Sequence, residues 1–221
     1  MSGSDKTQER AASTPTHRGA AGNIAVFAVR FIDGRLEGFE KDMKICLTPM
    51  RLETSKEPTH AYLPALAACC GFIEYLSGLY RGRLNGNGWQ QIAEFAAEYL
   101  PQPDYDKEAI RILFEVFRNP IAHRGIASGI WVDRNSGPGK GRRVTWQVSA
   151  DAKRPACEIL SRKGDLTRDP PWPCSYSHRG HIHLRSMWVD IRRAARRYSE
   201  DLADPTLQAH FVSCMKHLYP T

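Results

Sequence analysis

Residues 110–125 read IRILFEVFRNPIAHRG. Apolar side chains at Ile110, Leu113, Phe114, Phe117 and Ile121 recur at helical spacing. That is the stripe of a helix lying on a core. The stripe then meets Pro120, whose ring lacks an N–H and clashes with the carbonyl of Val116. On an unbroken helix Arg118 and His123 stand about 140° apart around the axis. The expected solution is a stop and a restart, with Asn119 as N-cap and Pro120 as the first residue of a new helix. Arg118 and His123 then turn toward one cleft, and the positive helix end favours an anion there.

Upstream the chain reads as three more helices. Ile24, Phe27, Phe31, Leu36, Phe39, Met43 and Leu47 mark a first helix from Asn23 to about Met50. A second runs from about Ala61 to Tyr80, with Pro64 in its first turn. RGRLNGNG (81–88) is a loop, and WQQIAEFAAEYL (89–100) is a short third helix closed by prolines. Asp104 is placed to cap the fourth, beginning near Tyr105. Downstream of Gly125 the texture changes. IASGIWVD (126–133), RRVTWQVSA (142–150) and ACEILSR (156–162) read as strands. DLTRDPPWPCSYSHRG (165–180) is too proline-rich for regular structure, and helices follow over 181–202 and 205–219. The expected class is mainly α. It comprises a disordered polar tail at 1–22, a helical bundle at 23–125, a small β-rich basic insertion at 126–180, and C-terminal helices at 181–221 packing on the bundle.

A chain of 221 residues, 42% hydrophobic and 25% charged, has the composition of a soluble globular protein. Its most apolar run, AYLPALAACCGFIEYL (61–76), is interrupted by Pro64 and Glu74 and is short for a membrane span. The first 22 residues lack the apolar region of a secretory leader. The expected compartment is the cytoplasm, with no membrane partner. The six cysteines form no C-x-x-C pair and are expected to be buried, reduced thiols. The net charge of +7 is unevenly spread: residues 134–197 hold 15 Lys/Arg against 5 Asp/Glu. Such a block suits a polyanion such as nucleic acid, or a plain solvated surface.

RNPIAH, with a polar residue directly after the arginine and about four helices before it, resembles the Arg-x4–6-His motif of the HEPN superfamily. The resemblance covers roughly residues 24–125. It implies a helical bundle that usually dimerises, and in many members a metal-independent ribonuclease with a site shared by two protomers. Other members bind nucleotides or RNA without cleaving, and several are toxins or antiviral effectors. By that resemblance Arg118 and His123 are the catalytic pair and Asn119 an accessory polar group. The chemistry suits the side chains in its own right. RNA supplies its 2′-hydroxyl as nucleophile, and histidine serves as base or acid near neutral pH. A guanidinium grips phosphate oxygens and stabilises developing charge. No metal or other cofactor is expected. The plain alternative pairs Arg118 in a surface network with Glu115 and Arg111, and leaves His123 packing a helix junction.

Further candidates lie downstream. RRAARR places Arg192 with Arg196, and Arg193 with Arg197, one turn apart, as an RNA-gripping face joined by Arg124. CSYSHRGHIH gathers Cys174, His178, His181 and His183, at a spacing that matches no zinc pattern. Trp131 and Trp146 are expected in strand packing, with base stacking the alternative. The reading that results is a cytoplasmic, homodimeric RNA endonuclease, possibly held by an antitoxin protein. Its rivals are a non-catalytic binding or dimerisation module and a metal-stabilised interaction protein.

Overall fold

The computed structural model describes residues 18–51, 53, 58–86, 88–124, 129–134, 140–166 and 174–220, with side chains except at 18–23 and 124. Most of the expected polar tail lies outside the described residues. Helix α1 (Arg18–Cys46) starts before the point where its apolar stripe begins. It buries Ala28, Ile32, Leu36, Phe39 and Met43, three or four residues apart, against α2 (Tyr62–Arg81). The intervening chain is pinned by a bridge between Met50 and Thr59. α2 is the most central helix: Leu66, Cys69, Cys70, Ile73, Leu76 and Leu79 are fully buried. It is long and apolar enough to cross a membrane, but 56% of the stretch is buried within this fold. Gly82 ends it at φ 77°, donating its N–H to the carbonyls of Gly78 and Leu79, and a Cβ there meets His210 at 3.0 Å.

α3 (Trp89–Tyr99) and α4 (Lys107–Ile112) follow. The cap of α4 is Asp106, which accepts from the N–H of Ala109 at 2.8 Å, and not the expected Asp104. The expected break at Pro120 is also absent. Leu113–Arg118 widens into a π-helical turn that runs straight into α5 (Asn119–Arg124). Asn119 has helical φ −67° and ψ −47°, so it caps nothing, and its N–H reaches Phe114 O. A residue without an N–H is tolerated where the i→i−4 ladder has already slipped to i→i−5. Helices α6 (Leu184–Asp201) and α7 (Pro205–Leu218) close the layer against α1 and α2. Asp204 caps α7 through the N–H groups of Thr206 and Leu207.

The larger correction concerns class. The described residues are 59% helical and 17% strand, and the strands form one four-stranded mixed sheet. A mainly α bundle with a small β insertion understates this second layer. The strands are β1 (Trp131–Val132), β2 (Arg143–Ser149), β3 (Cys157–Asp165) and β4 (Ser175–His183), in spatial order β1-β2-β4-β3. β4 is parallel to β2 and antiparallel to β3, with a bulge between Ser161 and Gly164. It occupies both the segment expected to be irregular and the first turn of the expected helix at His181. One sheet face carries Trp146, Cys157, Ile159 and Ile182 to the helices; Trp146 meets Phe117 edge-on at 5.0 Å. Trp131 lies beneath the Arg111 guanidinium, 5.3 Å from its ring centre, so both tryptophans serve packing.

Buried charge fastens the two layers. Asp190 on α6 is fully buried and accepts from Tyr105 Oη at 3.0 Å and from two Arg154 nitrogens at 2.6 and 2.5 Å. Asp104 takes the N–H of Ala156 at 2.8 Å. Asp133 accepts from Arg111 at 2.6 Å and from Arg142 at 3.2 Å. The cysteines carry free thiols; Cys69, Cys70, Cys157 and Cys214 are buried, while Cys46 and Cys174 are half-buried.

Candidate functional site

The apolar face of α2 turns Glu74 off the core and toward the π turn. Its carboxylate takes a two-point fork from Arg118: Nε at 2.8 Å and Nη2 at 2.9 Å. Nη1 reaches Asn119 Oδ1 at 3.3 Å. The Arg118 and Glu74 side chains are 32% and 21% exposed, so the pair lies at the rim of the bundle, in reach of solvent. The partner of Arg118 is therefore Glu74, 44 residues away, and not its helix neighbours Glu115 and Arg111. Arg111 is committed to Asp133. One turn before Glu74, the Cys70 thiol is pushed up to about 12, chiefly by burial and further by the Glu74 charge. It stays protonated and is no nucleophile. Burial also raises the Glu115 carboxyl, against the pull of Arg111.

His123 is exposed on α5. Because the turn that carries it is α-helical, it sits on the order of 140° around the axis from Arg118. The expected break that would have turned both toward one cleft does not form. Within one chain the motif thus presents an anchored guanidinium and a solvent-facing imidazole on different sides of one helix.

The arginines of α6 do not make a single face. Arg192 leans toward Glu40 of α1 at 3.8 Å. Arg197 lies over the Tyr99 ring at 5.6 Å and reaches the Tyr99 carbonyl at 3.5 Å. Arg193 and Arg196 point to solvent. The side chain of Arg124 lies outside the described residues.

The histidine-rich stretch lies on β4, where strand alternation sorts its members. His181 and His183 share one face, and His178, an odd number of residues away from each, belongs to the other. His178 Nδ1 is paired with Ser177 Oγ at 2.9 Å. The group that does converge replaces Cys174 and His178 with Glu158 of β3. Ligand atoms of Glu158, His181 and His183 lie within 4.8 Å of one another. Glu158 escaped the sequence reading because it is near only across the ladder, opposite His181, and 23 residues distant along the chain.

No family model matches the chain, and neither a curated protein nor a solved structure shows significant similarity to it.

Proposed function

We propose that this chain acts on RNA as a metal-independent endoribonuclease, with Arg118 and His123 as its reacting groups and Asn119 beside them. The observation that carries the reading is the Glu74–Arg118 fork at the rim of the bundle. It holds a guanidinium in a fixed pose near solvent, with its Nη1 edge beside Asn119. An arginine so anchored is pre-organised to meet a phosphate oxygen. His123 is exposed and so available to a substrate. An imidazole there takes the 2′-hydroxyl proton as the oxygen attacks phosphorus, and a second imidazole protonates the departing 5′-oxygen. One chain brings a single His123, so the reading calls for a homodimer that sets two motifs about one phosphodiester. The motif-level resemblance to the HEPN superfamily points the same way, as does the basic 134–197 segment. A cytoplasmic setting with an antitoxin partner belongs to the same proposal.

The test is incubation of the protein with total RNA in excess chelator. Cleavage is expected, with His123→Ala abolishing it and Arg118→Ala lowering it by on the order of 10²–10³. Intact RNA with the parent protein, or undiminished cleavage by His123→Ala, overturns the reading.

One observation favours a second reading, a binding module without catalysis. Glu74 already occupies two of the Arg118 nitrogens, and a phosphate must compete with it. On that reading RNA is bound and never cut, and Glu74→Gln, which frees the fork, tightens binding.

A further inference from the structure

Three neighbouring strands converge on one patch of the sheet's outer face. Glu158 of β3 and His181 of β4 are register partners, as are Ser149 of β2 and His183 of β4. Directly opposed residues hold their Cβ atoms about 4.5–5.5 Å apart, and His181 and His183 follow one another along the same face. The backbone ladder therefore brings all three residues to one face, and one ligand atom from each lies within 4.8 Å of the others. Two further features go beyond proximity. His183 Nδ1 is engaged by Ser149 Oγ at 2.9 Å, which orients the ring and leaves Nε2 to a ligand. His181 Nε2 is buried and has no hydrogen-bond partner among the described residues. A buried nitrogen without a partner is costly in a native protein and calls for an explanation.

We propose that Glu158, His181 and His183 form a binding site for a divalent transition ion of the zinc class. Two imidazoles and one carboxylate match that ion's preference for nitrogen and oxygen donors, with at least one position left for an exogenous ligand. Metal–ligand bonds of about 2.0–2.2 Å in a tetrahedral arrangement set neighbouring donors about 3.3 Å apart. The donor atoms, now within 4.8 Å of one another, draw together to that spacing when an ion binds. Burial lowers the His181 pKa. Arg162 and Arg179 also act on His181. This inference is independent of the Arg118/His123 reading, whose activity is expected in chelator.

The experiment uses the full chain without a histidine tag, stripped by chelator and dialysed. Titration with Zn2+ by calorimetry is expected to show one equivalent bound. Co2+ is expected to give the visible absorption of a four- or five-coordinate ion. Glu158→Gln, His181→Asn and His183→Asn each remove stoichiometric binding, while His178→Asn and Cys174→Ser keep it. Ser149→Ala weakens binding by about 10–100-fold. Helical circular dichroism checks that each variant folds, and the Co2+ spectrum of the parent protein depends on no variant at all. Absence of stoichiometric binding by the parent overturns the proposal. So does binding that survives Glu158→Gln and His183→Asn but is lost with Cys174 or His178.

Discussion

Asp190 and Glu74 sit on neighbouring helices, and each takes a two-point grip from an arginine, yet the surroundings differ. Asp190 is fully buried at the junction of helices and sheet, where Tyr105 adds a third hydrogen bond. Glu74 lies at the rim of the bundle and is 21% exposed; the difference is in the carboxylates, since both arginines reach solvent. A buried carboxylate must be matched completely, because desolvation penalises every missing partner. A rim carboxylate is under no such demand. The first pair is a fastener that tells β2–β4 where to sit. The second holds a cation within reach of other molecules at small energetic consequence. Pairs of the same chemistry thus serve architecture at one site and are open to function at the other.

The sharpest way to break that contrast is Asp190→Ala. It leaves the buried Tyr105 hydroxyl without its acceptor and Arg154, 45% exposed, with Asp104 as its remaining partner, and a loss of about 3 kcal/mol in denaturant unfolding is expected. A loss below 1 kcal/mol would mean that this pair does not fasten the sheet. Asp133→Asn comes next. It keeps the shape but removes the charge facing Arg111 and Arg142, and about 1–3 kcal/mol is expected by the same measurement. Glu74→Gln is expected to lower stability by no more than about 1 kcal/mol. On the ribonuclease reading it also slows RNA cleavage, because Arg118 loses its anchor. A stability loss as large as that of Asp190→Ala would make the two pairs alike and the rim pair architectural. Lys41→Gln, which breaks the exposed pair with Glu37, is expected to leave the melting temperature unchanged. Thiol accessibility gives an independent measure of the interior. At pH 8 iodoacetamide is expected to label Cys46 or Cys174 well before Cys70, which is buried and held protonated.

The helices were legible because their apolar residues repeat within a few positions, as the buried stripes of α1 and α2 attest. The sheet was half legible. β2 and β3 carry apolar or β-branched runs, but β4 spells SYSHRGHIH and reads as a loop. Most of its members are polar and its buried ones include Gly180 and His183, so neither hydropathy nor propensity flags it. Pro120 misled for a related reason. Local rules offer a proline a break, whereas the packing of Phe114 and Phe117 into the core favours a widened turn that keeps the helix whole. The partners that define both candidate sites are long-range. Glu74 for Arg118 and Glu158 for His181 come together only after tertiary folding, and no spacing along the chain announces them.

The sheet order carries a consequence for synthesis. β2 and β3 share no ladder, and each pairs with β4, the strand made last. On a ribosome, both hang with bare amide edges until residue 183 has cleared the exit tunnel, while helices α1 to α5 already have one another. Because α6 follows β4 without a linker, the keystone strand and the helix bearing Asp190 arrive together. Stalled or truncated products ending before β4 would expose two unpaired edges, the hallmark of a chain that chaperones must shield.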